Sequence, residues 1–141
     1  MKIKKIFSII LSIACMFVLC VPAVAGETRA SAQIAAYELN TTPTSDKLEV
    51  FFSIIGSGKM DKIGCESIYV YKLVGSRWVA VSDQTKLEDD DGMSATDAFF
   101  HTNQIYCDSE HGVAYKVIVT VFSENAKGRD TRSDTFYVTG Q

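Results

Sequence analysis

The stretch from Val113 to Phe122 reads VAYKVIVTVF and decides the fold class of this chain. Every second residue from Val113 to Val121 is valine or tyrosine, while Lys116 and Thr120 interrupt the other side. Alternation of this kind is typical of a β-strand with one buried face, because successive side chains point to opposite sides of a strand. The stretch therefore predicts a strand packed against a core.

Shorter segments with the same character lie on both sides of this stretch. Alternating apolar residues fill the segment 47–55, and Gly56, Gly58 and Gly64 predict a loop after it. The predicted strands are 34–39, 47–55, 67–74, 78–81, 98–102, 113–122 and 135–139. Because no helical period occurs after residue 33, about seven short strands at this spacing predict an all-β, antiparallel β-sandwich.

The first 25 residues have the organisation of a secretory signal peptide. Three lysines, Lys2, Lys4 and Lys5, precede an uncharged run from Ile6 to Val21. The small residues of Ala23-Val24-Ala25 then match the site that a signal peptidase reads. The apolar run is shorter than the roughly 20 residues that span a bilayer. We therefore expect cleavage after Ala25 and a secreted, extracellular protein.

Cleavage would leave a flexible lead-in, residues 26–33, and one β-sandwich domain, residues 34–141. All 17 acidic residues but only 11 of the 14 basic residues lie after residue 25, which gives a net charge near −6. Such a surface repels phosphate backbones and anionic lipids. We therefore expect no nucleic-acid partner and no membrane contact after cleavage.

Four cysteines are divided between the leader and the exported part. Lipid attachment is an alternative role for Cys15 and Cys20, but neither is preceded by the residues of a bacterial lipoprotein site, so both are expected to be apolar filler. Cys65 and Cys107 either form a disulfide or remain as two buried thiols. An even number of cysteines in a short exported domain favours the disulfide.

The sequence contains no motif for catalysis or metal binding. The acidic segment 87–92 resembles a calcium loop, but Leu87 and Ala98 stand at its first and last ligand positions, so a solvated acidic turn is favoured. His101 and His111 are the only histidines, and no Gly-x-Ser-x-Gly nucleophile elbow is present. We therefore expect no enzyme activity, no cofactor and no metal.

Aromatic residues supply the best candidates for ligand binding. Tyr69, Tyr71 and Trp78 lie on a predicted hairpin, and the two tyrosines point away from the apolar side of their strand. Core packing is the alternative for these rings. Phe99 and Phe100 are adjacent, so an extended strand would point them to opposite faces and leave at least one of them half exposed.

The hairpin from Ser67 to Trp78 resembles the C–C′ pair of fibronectin type III and related immunoglobulin-like domains, and the stretch from Gly112 to Val138 is similar to their F–G hairpin. Tyr115 resembles their corner tyrosine, whose hydroxyl bonds back to the preceding loop. The whole chain also resembles a group of small uncharacterised secreted proteins of Gram-positive bacteria. The resemblance implies export and an immunoglobulin-like sandwich, and it implies no activity.

The fold implied by this resemblance argues against a disulfide between Cys65 and Cys107. In a fibronectin-like sandwich Cys65 opens the third strand and Cys107 follows the fifth, which places them at opposite ends. A disulfide needs α-carbons within about 7 Å. The bridge and the free thiols both remain open at this point.

Two classes of function fit the sequence. The first is a non-catalytic binding or adhesion domain whose partner is an extracellular or cell-envelope protein or glycan. The second is a small secreted enzyme or enzyme inhibitor with an unrecognised site. The strand pattern, the sparse histidines and the lack of a motif favour the first.

Overall fold

The computed structural model describes residues 32–141, which belong to one compact unit. The predicted signal peptide, residues 1–25, lies outside the described residues, as do Cys15, Cys20 and most of the lead-in. The described part is an antiparallel sheet of seven strands. They are β1 Ile34–Pro43, β2 Lys47–Val74, β3 Arg77–Ala80, β4 Lys86–Leu87, β5 Ser94–Asp108, β6 Ala114–Asn125 and β7 Gly128–Thr139. Within residues 32–141 the only helix is the three-residue 3-10 turn Ser82–Gln84, so these residues include no membrane-spanning helix.

The long strand β2 organises the sheet, since five other strands pair with it. Its first part, residues 48–56, lies between β1 and β5. Its second part, residues 62–72, pairs with β6 on one side and with β5, β4 and β3 in succession on the other. Strand β7 pairs with β6 and completes the sheet. The all-β prediction is therefore confirmed, with all seven strands in one hydrogen-bonded sheet.

The prediction of a loop between residues 56 and 64 is wrong. Residues 60–64 continue β2 and pair with residues 94–98 of β5. The pairing with β5 is irregular between Ile55 and Met60, the interval that contains Gly56 and Gly58. Gly64 is needed because a Cβ atom there would stand 2.3 Å from the carbonyl oxygen of Met93. The glycines therefore bend a continuous strand and allow a close backbone approach instead of ending the strand.

Two further strands are longer than predicted. Strand β5 spans 15 residues where five were expected, and β7 spans 12 where five were expected. The added part of β7 is polar and the added parts of β5 mix polar and apolar residues, so their side-chain pattern carries little signal. Pairing with β2 and β6 extends them, because the ladder satisfies backbone groups whatever the side chains are.

The core gathers side chains from both parts of β2 and from β6. It forms one cluster, with Leu48, Val50, Phe52, Ile54, Met60, Ile63, Cys65, Ile68, Val70, Met93, Cys107, Tyr115, Val117, Val119 and Val121 among its members. The alternating residues of the stretch 113–122 point into this cluster, as predicted. Their neighbours on β6 therefore belong to the opposite, outer face of the sheet.

Tyr115 has the contact that the resemblance implies. Its ring is buried, and its hydroxyl oxygen accepts a hydrogen bond of 2.9 Å from the backbone N–H of Glu110, in the turn before β6. This bond fixes the turn between β5 and β6.

Candidate binding face

Strand pairing brings the predicted tyrosines to the outer face beside a lysine. Tyr71 of β2 is paired with Lys116 of β6, and Lys116 is paired with Tyr137 of β7. Trp78 of β3 is paired with Leu73 of β2, which follows Tyr71 by two residues and lies on the same face. Directly opposed residues point to the same side of a sheet, so these side chains form one row across four strands.

The lysine lies against two of the aromatic rings. The Nζ atom of Lys116 is 4.5 Å from the ring centroid of Tyr71 and 5.5 Å from that of Trp78. The rings of Trp78 and Tyr137 are 5.7 Å apart and tilted by 55°. Tyr69 stands two residues along β2 and is 40% exposed. We refer to Tyr69, Tyr71, Trp78, Lys116 and Tyr137 as the aromatic face.

Hydroxyl groups surround these rings. After Arg129, the outward-facing residues of β7 are all exposed, and every one carries a hydroxyl: Thr131, Ser133, Thr135, Tyr137 and Thr139. The hydroxyl of Thr120 donates to that of Ser133 across 3.0 Å. The outer face of β6 and β7 therefore combines flat apolar rings with uncharged donors and acceptors.

Sequence reasoning found three of the five residues in the aromatic face. The structure places Tyr69, Tyr71 and Trp78 on the same face and brings Tyr71 and Trp78 together around Lys116. Sequence reasoning did not identify Lys116 and Tyr137. Their outward position was readable from alternation with the core residues, but their meeting depends on the pairing register of β6 with β2 and β7.

The disulfide predicted between Cys65 and Cys107 is not present. Both are buried free thiols. The Cys65 thiol donates to the carbonyl oxygens of Ser67 and Thr120. The sulfur of Cys107 lies 4.0 Å from the carbonyl oxygen of Gln84. Burial raises the pKa of Cys65 to about 12 and that of Cys107 to about 11, so neither forms a thiolate readily.

The acidic segment is tied into a cluster of ion pairs. Glu88 pairs with Lys62 and Arg129, and Asp89 pairs with Lys62 across 2.7 Å. Arg129 also pairs with Glu66 across 2.8 Å. Among residues 32–141 no group of histidine, cysteine, aspartate or glutamate side chains is arranged to hold a metal. Lys62 and Arg129 instead neutralise two carboxylates of this segment, those of Glu88 and Asp89.

His101 has a packing role. Its Nε2 atom lies 2.8 Å from the carbonyl oxygen of Gly92, and its ring centroid is 5.6 Å from that of Phe52. Asn103 donates to the same carbonyl oxygen. Together these side chains hold the segment before β5 against the inner side of that strand.

A second apolar surface lies at the irregularity in β2. Phe99 and Phe100 are both exposed, at 60% and 63%, and they line an open groove with Ile55 and Gly56. At least one of the two phenylalanines was expected to be half exposed, and both are more exposed than that. The strand pairing is interrupted here, and Asp97 has a φ of 55°, so β5 does not alternate regularly at this point.

No protein family, no curated protein and no solved structure matches the chain.

Proposed function

We propose that this chain is an exported, non-catalytic recognition domain that binds a glycan of the extracellular space or cell envelope through its aromatic face. The observation that carries the proposal is the row of Tyr71, Trp78 and Tyr137 around Lys116, in which Tyr137 is exposed and the other two rings are half-buried. Export rests on the signal-peptide pattern of residues 1–25. The fold that we propose around it is an immunoglobulin-like β-sandwich, produced where the bend in β2 brings its two parts to one core.

The chemistry of the aromatic face fits an uncharged saccharide. Aromatic rings stack against the apolar C–H faces of sugar rings, and hydroxyl side chains exchange hydrogen bonds with sugar hydroxyls. The rings of β2, β3 and β7 lie beside the hydroxyl groups of β6 and β7. Lys116 is held between two rings, and the exported part is acidic, so a strongly anionic polymer fits less well.

The inner groups offer little support for an enzyme. The two thiols are buried with raised pKa values, and His101 is engaged in packing. A protein partner remains the competing kind of ligand, because aromatic rings are also enriched at protein interfaces.

A fluorescence titration tests the proposal directly. Trp78 is the only tryptophan of the chain, so its emission reports on the aromatic face alone. We expect neutral cell-wall and capsular oligosaccharides to shift or quench this emission with saturation. Tyr137→Ala and Tyr71→Ala should weaken binding about tenfold or more, since one stacked ring contributes roughly 1–3 kcal/mol.

A matched control is Tyr37→Ala, which removes a tyrosine of β1 that is 42% exposed but lies outside the aromatic face. Its affinity should equal that of the unmodified protein. If saccharides leave the emission unchanged while protease-treated cells lose their binding to the domain, the ligand is a protein and the glycan proposal fails.

A further inference from the structure

Strand β5 has a free edge. It pairs with β2 on one side, and its other side meets no strand among residues 32–141. The backbone N–H of Gln104 donates to the side-chain oxygen of Asn103, which places this amide on the free side. Because strand amides alternate in direction, those of Phe100, Thr102 and Tyr106 point the same way.

This edge lacks the features that keep edge strands apart. Residues 98–107 read AFFHTNQIYC and contain no lysine, arginine, aspartate, glutamate or proline. The edge strand β7 carries Arg129, Asp130, Arg132 and Asp134, and β1 carries a glutamate and a proline. Natural sheets use charges and prolines to block edge-to-edge pairing, so their absence from residues 98–107 indicates that this part of β5 is a pairing edge.

Exposed apolar side chains flank the same edge. Phe99, Phe100 and Tyr106 are 60%, 63% and 53% exposed. Since an aromatic side chain can bury about 150–250 Å², each leaves roughly 100 Å² uncovered. Two copies would bury about 600 Å² through these rings, and two strand edges with their polar side chains would bring the total to the roughly 1,200 Å² of a specific interface.

We propose that β5 pairs antiparallel with β5 of a second copy of this chain, around a twofold axis near Asn103. This register pairs Phe100 with Tyr106 of the partner subunit, and Thr102 with Gln104 of the partner subunit. The backbone N–H groups of all four residues point away from β2 toward the free edge, so each pair can exchange two backbone hydrogen bonds. The uncharged stretch 98–107 lies almost entirely within the paired region, and the arrangement is symmetric, as a twofold interface requires.

The charges at the two ends of β5 permit this arrangement. Lys59 pairs with Asp97 across 3.4 Å at one end, and Lys47 pairs with Asp108 across 2.7 Å at the other. The antiparallel register brings one end of β5 beside the opposite end of the partner strand. Two internally neutralised ion pairs then meet, and no unbalanced charge opposes contact. A foreign peptide strand would use the same edge, but a second copy matches it with its own exposed rings, Phe100 and Tyr106, at both ends of the pairing.

Sedimentation equilibrium of the chain from Gly26 onward tests the pairing. We expect a dimer that dissociates on dilution in the micromolar range. Thr102→Lys places a charge at the centre of the interface and should weaken dimerisation at least tenfold. Thr131→Lys makes the same change at an exposed site on β7 and should leave the dimer intact. Circular dichroism checks that both variants fold.

Cysteine cross-linking tests the register. Under mild oxidation, a mixture of Phe100→Cys and Tyr106→Cys chains should form a disulfide-linked heterodimer, because directly opposed, hydrogen-bonded residues have α-carbons about 5.5 Å apart. A mixture of Phe100→Cys and Thr131→Cys chains should not. The proposal is overturned by a protein that remains monomeric at about 500 µM, or by a dimer that Thr102→Lys does not weaken.

Discussion

Arg129 connects the acidic segment before β5 to the outer face of β6. Its guanidinium group lies 3.8 Å above the ring of Phe122, and it pairs with Glu66, Glu88 and Glu124. Phe122 is fully buried although it faces away from the main core, because this cluster covers it. A planar guanidinium can stack on a ring and bind carboxylates at the same time, which a lysine at this position could not reproduce.

We expect Arg129→Ala to lower the free energy of unfolding by about 1–2 kcal/mol near pH 7, since it uncovers Phe122 and leaves three carboxylates together. Hydrogen bonding to Arg129, followed by that to Lys62, holds the pKa of Glu88 below its ordinary value of 4.5. A lowered folded-state pKa stabilises the protein above the ordinary value, and this stabilisation is lost as the pH falls below it.

The difference between the native protein and Arg129→Ala should therefore shrink as the pH falls below 4.5. Urea unfolding at a series of pH values measures it. Arg132→Ala is the matched control, because Arg132 lies on the same strand and donates to the backbone carbonyl of Thr131. A difference that stays constant down to about pH 3 would contradict the role given to Glu88.

The two core thiols should be unreactive in the folded protein. With a pKa of about 12 for Cys65 and about 11 for Cys107, thiolate is scarce at pH 8, and both sulfurs are buried. A coloured thiol reagent should label neither residue in buffer and both in concentrated denaturant. If the denatured protein also resists labelling until a reductant is added, the cysteines are bridged.

The close approach of β2 to the start of β5 depends on one glycine. Gly64 has a φ of +156°, and a Cβ atom there would lie 2.3 Å from the carbonyl oxygen of Met93 and 2.6 Å from the Cα atom of Ser94. The N–H of Cys65 donates to the same carbonyl oxygen across 2.7 Å, so the backbones cannot separate without losing this bond.

We expect Gly64→Ala to destabilise the fold by about 2 kcal/mol or more, because backbone atoms and not a movable side chain oppose the methyl group. Gly58→Ala is the control within the same strand, since nothing lies within 4 Å of a Cβ atom there. Denaturant midpoints of the two variants measure the effect. Equal midpoints would show that β2 and the segment before β5 can move apart freely.

Alternation in the sequence predicts the strands that have one buried face. It finds the first part of β2, its last part and β6, because apolar residues there recur with a period of two. It fails between residues 56 and 64, where glycines have the same appearance whether a strand ends or bends. Only the pairing of residues 60–64 with β5 distinguishes the two cases, and that pairing joins residues 30 to 38 positions apart, from Gly64 with Ser94 to Met60 with Ala98.

The aromatic face shows the same limit. The outward direction of Tyr69 and Tyr71 follows from their own strand. The meeting of Lys116 with Tyr71 and Trp78 requires the register of three strands, and a shift of one residue would turn Lys116 into the core. Predicting the free edge of β5 from the sequence would require knowing the pairing of every described strand, because only then is it clear that none of them pairs with that edge.

The aromatic face and the β5 edge lie along different parts of β2, so a dimer formed through β5 would leave both of its aromatic faces open. Two linked faces bind a repeating polymer more tightly than one, because the second contact is intramolecular. If both proposals hold, the dimer should bind a polysaccharide at least about tenfold more tightly than Thr102→Lys does. The two proteins should bind a short oligosaccharide of the same repeat equally well, since one face suffices for it.

Trp78 emission measured with the short and the long saccharide separates the possible results. Equal affinities of the two proteins for the polymer would mean that the dimer cannot engage both faces at once. A loss of affinity in Thr102→Lys for the short saccharide as well would mean that β5 itself contributes to the saccharide site. The expected pattern, a difference confined to the polymer, requires the pairing edge and the aromatic face to act as separate surfaces of one sheet.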